Sequence, residues 1–263
     1  MDFKLSVASY SFHGLLHEKK MDVFHYLETC RFRYGLDTAD IWNGFLTNYE
    51  DDYLKRIKEA LDEKELILAN LCCDFAHPWH EEPDQLAKQN ALAQDCLKAA
   101  EILGAKTIRF DLGVSEMNIT DQQIEYISGK FREYAKRAGE GGYKVCIENH
   151  WGASRRIDVQ KTMLEAVNDK NYGILLHLGN WQEETLEQRD KNDLEMAKYA
   201  VHMHFSQPYC ERAEDIIRPM YEAGYKGVWG TEHHSGKNEY YEVEWQLAAM
   251  RKELTKIRDN IKY

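Results

Sequence analysis

The sequence predicts an α/β protein that folds as a (β/α)₈ TIM barrel, on three observations. Short β-type runs and longer amphipathic runs alternate eight times along the chain, and such alternation is typical of a parallel sheet. The 263 residues are close to the usual length of a closed barrel, roughly 250 residues. No Pro-, Gly- or Ser-rich linker interrupts the pattern, so we expect residues 1–263 to form a single domain.

The eight predicted strands are short runs rich in β-branched, aromatic and aliphatic residues. They are KLSVASYSF (4–12), LDTADIW (36–42), LILANLCCDF (66–75), KTIRFDLG (106–113), YKVCIENH (143–150), YGILLHLGN (172–180), AVHMHFSQ (200–207) and KGVWGTEHH (226–234). An open, doubly wound sheet is the alternative fold. It would normally carry a glycine-rich phosphate loop after its first strand, and SYSFHG at 9–14 has only one glycine.

The runs between the strands carry apolar residues at helical spacing. Three are well marked, at 51–64, 84–103 and 120–142, and later helices are predicted near 157–168, 190–198, 211–223 and 241–258. Thr120 is a plausible N-cap of the third, which ends on glycines as a helix C-terminus should.

Charge and cysteine usage exclude several functional classes. The net charge is −11, from 45 acidic and 34 basic residues, and no stretch concentrates the Lys and Arg that a nucleic-acid partner requires. The six cysteines form no CxxC pair, which indicates reduced thiols. The N-terminus has no basic, apolar leader and no run reaches the ~18 apolar residues of a membrane span. We therefore expect a cytoplasmic protein without a membrane or nucleic-acid partner.

Four strong metal ligands lie near the carboxyl ends of four successive predicted strands. Glu148, His177, His204 and Glu232 are separated by 29, 27 and 28 residues, which is about one β-α unit each. Because functional groups of a barrel come from the carboxyl ends of its strands, such spacing brings the four side chains to one level of the mouth. Two imidazoles and two carboxylates would suit a divalent transition metal.

Each position has a competing interpretation. His177 lies within GILLHLGN and could instead be a core histidine bonded to a carbonyl group. His202 shares a strand face with His204 and is predicted to lie one layer deeper. His233 and His234 compete with Glu232, the first acidic residue at the end of its strand.

The segments VCIENHWG, GILLHLGN, VHMHFSQ and GVWGTEHH resemble the fifth to eighth strands of the sugar phosphate isomerase/epimerase superfamily, the xylose isomerase-like TIM barrels. SVASYSFHG and ADIWNG are similar to its opening strands. The resemblance implies one divalent metal held by Glu148, His177, His204 and Glu232, with Mn²⁺ expected first and Zn²⁺, Co²⁺ or Mg²⁺ as alternatives. It also implies a homo-oligomer, since barrels of this family are often dimers or tetramers.

The sequence departs from the family pattern at three positions. His177 stands where the family usually has Asp, which removes a negative charge and favours softer metals such as Zn²⁺. Asn180 replaces a substrate-binding His of the ketose 3-epimerases, and Ser206 replaces a Lys found in many members. The resemblance therefore predicts a retained metal site with a different substrate shell.

The chemistry that the resemblance implies is proton abstraction next to a carbonyl group, with a metal-stabilised enediolate. Glu148 and Glu232 are the expected catalytic pair, one removing a proton and the other returning one, which gives isomerisation or epimerisation. Alternatively, both are ligands only, and a metal-bound water or a His is the base. The same enolate could expel a β-substituent, so a lyase or dehydratase acting on a keto-sugar or 3-oxo-glycoside is the alternative function.

Other polar and aromatic residues at strand ends are candidates for binding a small carbohydrate. They are His13, Trp42, His77, Arg109, His150, Trp151 and Asn180. Arg109 has a rival structural role, pairing with an acid such as Glu148 or Asp111. Trp151 and Trp181 are expected to form one wall of the pocket.

Two functions from other classes remain as weaker alternatives. A phosphodiesterase of the endonuclease IV type shares this fold but needs a three-zinc cluster and a basic rim, and the net charge of −11 argues against it. A non-catalytic binding protein on a degenerate barrel would be consistent with His177 at the usual Asp position.

Overall fold

The computed structural model describes residues 3–260 and contains eight parallel strands that alternate with helices. The strands are β1 (Leu5–Val7), β2 (Thr38–Trp42), β3 (Ile67–Cys73), β4 (Thr107–Phe110), β5 (Lys144–Glu148), β6 (Tyr172–His177), β7 (Ala200–Phe205) and β8 (Val228–Thr231). Each lies within one of the eight predicted segments.

The sheet closes into a barrel. Hydrogen bonding follows the order β1-β8-β7-β6-β5-β4-β3-β2, and every pairing is parallel. A bridge between Ala8 and Asp40 joins the loop after β1 to β2 at the remaining gap. The predicted (β/α)₈ barrel is therefore confirmed, and the open doubly wound sheet is wrong.

The helices surround this sheet. They are α1 (His13–His17), α2 (Val23–Glu28), α3 (Asp51–Glu63), α4 (Pro83–Leu103), α5 (Asp121–Gly141), α6 (Ile157–Val167), α7 (Leu186–Met196), α8 (Gln207–Glu211), α9 (Ala213–Glu222) and α10 (Glu239–Arg258). Thr120 caps α5 as predicted, because its side chain accepts from the backbone N–H of Gln123 while the Gln123 side chain accepts from the backbone N–H of Thr120.

Some strands end earlier than predicted, because buried residues of the following loop extend the strand-like sequence pattern. The segment predicted as a strand at 4–12 is β1 followed by a 3₁₀ turn at Ser9–Phe12, whose Ser9, Ser11 and Phe12 are buried. The helix predicted at 211–223 corresponds to α9, and the short α8 before it, which ends at Glu211, was not predicted. The short α1 and α2 carry too few turns to give a clear periodic signal.

The main apolar core lies between the sheet and the helices, whereas the barrel interior is polar. Asp40, Asn70, Arg109, Glu148 and His204 are all buried inside the barrel. Branched apolar residues dominate this space in typical barrels. Here a small cluster of Cys72, Cys146 and Leu175 is the apolar part of the interior. The interior is therefore built to hold charged and hydrogen-bonding groups.

The adjacent cysteines Cys72 and Cys73 on β3 point to opposite faces of the sheet, as neighbouring side chains of a strand do. Cys72 belongs to the interior cluster, while Cys73 packs in the outer core. All six cysteines are free and buried. No helix within residues 3–260 combines the length and apolarity needed to cross a bilayer.

Candidate functional site

Glu148, His177, His204 and Glu232 meet at the carboxyl end of the barrel. One ligand atom from each lies within 4.8 Å of the others. The Nδ1 atom of His177 is 3.1 Å from Glu148 Oε1 and 3.5 Å from Glu232 Oε2. The Nδ1 atom of His204 is 3.8 Å and 3.4 Å from the same two oxygens. The near-equal sequence steps thus correspond to one compact group of side chains, and His177 directs its ring nitrogen into that group.

A buried carboxylate holds the outer face of His204. Asp40 Oδ2, on β2 across the barrel, lies 2.9 Å from His204 Nε2 and 2.7 Å from His202 Nε2. Asn70 donates to the other carboxylate oxygen of Asp40. Burial raises the pKa of Asp40, but the two imidazoles outweigh this and hold it below the usual value. Asp40 therefore fixes the His204 ring so that its Nδ1 faces the glutamates.

His202 lies one layer deeper than His204, as its position in the strand predicted. Both residues are on the inward face of β7, and their ring centroids are 5.3 Å apart. The Nδ1 atom of His202 is buried and has no hydrogen-bond partner. His202 is therefore bound to the cluster only through the shared Asp40.

Both glutamates are held in the ionised form. Burial raises the pKa of Glu148, but Arg109 and His150 outweigh this and hold it well below its usual range. Burial likewise opposes ionisation of Glu232, and the positive charges of His204 and His234 hold its pKa well below the usual value. The pair therefore presents two carboxylates at neutral pH.

Arg109 takes the structural role that the sequence offered as a rival interpretation. Its Nε is 2.9 Å from Glu148 Oε2, and its Nη1 contacts Asp74 Oδ1 at 2.8 Å and Asp111 Oδ2 at 3.0 Å. Trp42 also donates to Asp74, from its indole N–H, over 2.7 Å. The guanidinium thus ties Glu148 to two acids on the neighbouring strand ends.

Two histidines at the edge of the cluster favour the protonated form. His150 Nδ1 is 3.2 Å from both oxygens of Asp111. Burial lowers the pKa of His150, but Glu148 and Asp111 outweigh this and raise it to about 9. His234 Nε2 is 3.2 Å from Glu232 Oε2, and although burial opposes its charge, that carboxylate raises its pKa.

Two amides shape the loop that follows β5. The Asn149 side chain donates to the His177 carbonyl and accepts from the His177 N–H, so it acts as one rung between β5 and β6. Asn180 donates both amide hydrogens to the carbonyl groups of Asn149 and His150. Both side-chain N–H groups of Asn180 are therefore occupied. The side-chain oxygen is the atom that is left for the predicted contact with a substrate.

Aromatic rings line the mouth beside β3 and β5. The His77 ring centroid lies 5.4 Å from that of Trp151 and 6.5 Å from that of Phe75. Phe75 is 70% exposed and has a φ of 61°, a left-handed conformation that is costly for a bulky side chain. Phe75 therefore adds an exposed aromatic ring to the mouth beside His77.

Tyr10 separates His13 from the candidate metal cluster. It stacks on Tyr10, with ring centroids 4.5 Å apart, and Tyr10 in turn lies 5.8 Å from His234 and 5.1 Å from Trp42. Partial burial and the charges of Glu232 and Asp74 raise the pKa of Tyr10. Tyr10 is thus closer to the carboxylates than the predicted His13.

His233, which the sequence offered as an alternative ligand to Glu232, lies away from the candidate metal cluster. His233 is bound within its own loop, where Nε2 contacts the Ser235 hydroxyl and the Lys237 carbonyl. Trp181 does not line the pocket as expected, because it is fully buried in the outer core and donates to Asp193. Trp151 also follows a strand end, but the Trp181 ring is bonded to Asp193 on α7 and is not part of the mouth.

Sequence reasoning did not single out Asp40, Asp74 or Tyr10. Each comes from the first half of the chain, where the strand ends carry no repeated ligand spacing. The signal that existed was local: Asp40 is an acid inside the strand TADIW, whose other residues are Thr and three apolar residues. A buried acid of this kind needs a partner, and His202 and His204 are the partners.

The donor set fits a divalent metal. The His204 Nδ1 atom is buried, has no hydrogen-bond partner and faces two ionised carboxylates, and its other nitrogen is bound to Asp40. Metal-bound histidines typically have such a carboxylate behind them. A nitrogen-and-oxygen set of this composition suits Zn²⁺, Mn²⁺ and related ions.

Comparison with known proteins gives the same fold. A model of the family described as xylose isomerase-like TIM barrel matches residues 32–258. No curated protein matches the chain by sequence.

Three similar solved structures differ in their described activities. The 3-keto-D-glucoside 4-epimerase of E. coli has 14% identity and a TM-score of 0.73, covering 95% of this chain and 100% of its own. A probable 3-DHS dehydratase of Bacillus anthracis has 14% identity and a TM-score of 0.67, covering 96% and 99%. The IolI protein with a bound zinc atom has 14% identity and a TM-score of 0.72, covering 99% of each chain. At these identities the likeness shows the fold alone.

Proposed function

We propose, since the chain belongs to the xylose isomerase-like TIM barrel family, that it is a metal-dependent isomerase or epimerase of a sugar or sugar derivative. The observation that carries the proposal is the group formed by Glu148, His177, His204 and Glu232, whose ligand atoms lie within 4.8 Å of one another. The E. coli epimerase and the dehydratase share this barrel and are described as acting on keto-glucoside and 3-DHS, respectively.

The four side chains would hold one divalent ion. When bound, that ion would supply Lewis-acid stabilisation of negative charge on the carbonyl and hydroxyl oxygens of the substrate. Mn²⁺ and Zn²⁺ both remain candidates, since two imidazoles and two carboxylates accept either.

The two glutamates have different freedom to move a proton. Glu148 is held by Arg109 on one oxygen and faces His177 with the other, and its side chain is 2% exposed. Glu232 is 11% exposed, and its contacts with His177, His204 and His234 all use Oε2. We assign Glu232 as the group that takes the proton beside the carbonyl, giving the enediolate of the substrate. Glu148 is its partner on the opposite side.

Two imidazoles can supply protons beside the glutamates. The pKa of His150 is raised to about 9, so it carries a proton at neutral pH. Glu232 raises the pKa of His234, which favours its protonated form. Each lies beside one of the glutamates. They can return a proton to the opposite face of the substrate or to the neighbouring carbon, which separates epimerisation from isomerisation.

The same inventory favours a second candidate, a lyase or dehydratase. Expulsion of a β-hydroxyl group from an enolate needs a proton donor near the leaving oxygen, and His150 and His234 supply two such donors on either side of the cluster. The substrate in this case would be a keto-sugar or a 3-oxo-glycoside.

Metal content tests the site directly. The protein is purified without chelator and its metals are measured, then the measurement is repeated for Glu148→Gln and Glu232→Gln. We expect about one equivalent in the parent and a large loss in both variants. Glu59→Gln, an exposed position on α3, is the matched control and should retain the metal. A parent protein that takes up no divalent ion would sink the proposal.

Exchange with heavy water separates the reactions. The loaded protein is incubated in D₂O with ketoses, ketose phosphates and 3-oxo-glycosides, and deuterium uptake is followed by NMR and mass spectrometry. An isomerase or epimerase gives a product of unchanged mass apart from deuterium. A dehydratase gives a product lighter by one water. Glu232→Gln should reduce turnover by about 10²–10⁴-fold, the range expected for loss of a general base.

A further inference from the structure

The amino-terminal end of the barrel holds a cavity that the proposed function does not use. Its volume is about 960 Å³, within the range of small-molecule sites, and it is lined by residues at or just before the first residues of β1, β4, β5, β6, β7 and β8. The candidate metal cluster lies at the opposite end of the same strands. The floor of the cavity reaches into the barrel as far as His202.

The charge of the lining is opposite to that of the protein as a whole. The net charge of the chain is −11, yet no Asp or Glu lines this cavity. Six lysines do: Lys4, Lys106, Lys144, Lys170, Lys198 and Lys226. In a chain with 45 acidic residues, a lysine-only ring of this size is a local concentration of positive charge.

Five of these lysines have no acidic partner within residues 3–260. Lys4 pairs with Asp37, and it is the exception. Lys198 and Lys226 lie over the rings of Tyr199 and Tyr221, at 4.9 Å and 3.9 Å from the ring centroids. Unpaired ammonium groups that face one cavity repel one another, so a multivalent anion placed among them would relieve that repulsion.

A buried histidine at the floor of the cavity is independent evidence for a ligand. His202 is 1% exposed and lines the cavity, and its Nδ1 has no hydrogen-bond partner while its Nε2 is bound to Asp40. A buried polar atom left unpaired carries a free-energy cost unless something outside the protein bonds to it. The ring of Tyr199, which is 40% exposed and lines the cavity, can cover the apolar part of a bound molecule.

We propose that this cavity is a binding site for a small metabolite carrying two or more phosphate groups. Lysine ammonium groups bind phosphate as point charges and need no planar geometry. The concave shape and the volume fit a small molecule, whereas a membrane surface or a nucleic-acid backbone requires an exposed face. The site is separate from the proposed catalytic centre and does not depend on it.

Inorganic tripolyphosphate is a suitable probe, titrated into the protein by calorimetry in buffer with EDTA so that chelation of metal adds no heat. We expect saturable binding that weakens as salt concentration rises. The triple variant Lys106→Gln, Lys144→Gln and Lys170→Gln should weaken binding by at least about tenfold, because it removes three of the unpaired charges.

Two controls keep the result specific. The variant Lys55→Gln, Lys88→Gln and Lys191→Gln changes the net charge equally at exposed helical positions, and it should bind as the parent does. Glu148→Gln should also bind as the parent does, which places the probe away from the catalytic end. Absence of binding at millimolar probe, or an equal loss in the control triple variant, would overturn the proposal. So would binding of anionic vesicles without binding of tripolyphosphate.

Discussion

The two ends of the barrel are built from the same strands but carry opposite chemistry. At the carboxyl end, Glu148 and Glu232 are buried and every charged group has a partner of opposite sign within the cluster. At the amino end, lysines surround an open cavity and five of the six lack an acidic partner among residues 3–260. Charges at the carboxyl end therefore compensate one another, whereas the amino end keeps the positive charge that we propose binds an anionic ligand.

The two ends also meet inside the barrel. Asp40 binds His204, which belongs to the candidate metal cluster, and His202, which forms the floor of the amino-terminal cavity. Substitutions at Asp40 therefore affect both ends, while substitutions at the rims separate them.

The largest effect is expected for Asp40→Asn. The amide cannot hold both imidazoles as a charged acceptor does, so the His204 ring loses its fixed orientation. We expect the affinity for Zn²⁺ or Mn²⁺ to fall by about 10–100-fold, as for other groups that orient a metal-bound histidine. Competition with a chromophoric chelator measures this change.

Asp37→Asn is the matched control for that variant. Asp37 lies just before β2 and pairs with Lys4 at the amino end, so its loss should leave metal affinity unchanged. If both variants lose affinity equally, the effect comes from the fold and not from orientation of His204.

The next effect concerns pH. Burial opposes the charge of His204, but Glu232 and Asp40 raise its pKa well above the usual value in the metal-free protein. A metal must displace that proton, so affinity should fall as pH falls, by up to about tenfold for each pH unit per proton released. Calorimetry in buffers of different ionisation enthalpy counts the protons, and binding that is independent of pH would contradict the assignment.

A smaller effect is expected on the stability of the metal-free protein. The pKa of His150 is about 9 in the folded chain and about 6.5 in an unfolded one, so its charge stabilises the fold fully below pH 6.5. That contribution is lost as pH rises through 9. His150→Asn should therefore lower Tm at pH 6 in the presence of EDTA, and the difference should vanish near pH 10. A difference that grows with pH would have the wrong sign.

The smallest effect belongs to the amino end. Lys144→Gln removes an exposed charge without an acidic partner in the described chain, so the free energy of unfolding should change by less than about 0.5 kcal/mol. Chemical denaturation in low salt measures it. A strong loss of stability would show that the lysine ring supports the fold, and the contrast between the two ends would then fail.

The sequence was sufficient for the barrel and for the convergence of Glu148, His177, His204 and Glu232, since both follow from periodic patterns. It was insufficient for Asp40, whose role depends on barrel closure, which brings β2 opposite β7. It was equally insufficient for the lysine cavity, because Lys106 and Lys226 are distant in sequence and each alone resembles an ordinary surface residue. Features that repeat along the chain can be predicted from the sequence. Contacts between distant strands can be identified only once the closed barrel is known.

All six cysteines are buried, so we expect the folded protein to react slowly with thiol reagents. Burial is the main cause that raises the pKa values of Cys72 and Cys146, so neither thiolate is available while the barrel is closed. Both residues lie in the barrel interior near the candidate metal cluster, so the rate at which these two thiols are alkylated reports how often the barrel opens. A metal bound between Glu148 and Glu232 would make opening of the barrel less frequent and would slow the alkylation of Cys72 and Cys146. The labelling rate of these two thiols therefore reports metal binding, although neither thiol is a ligand.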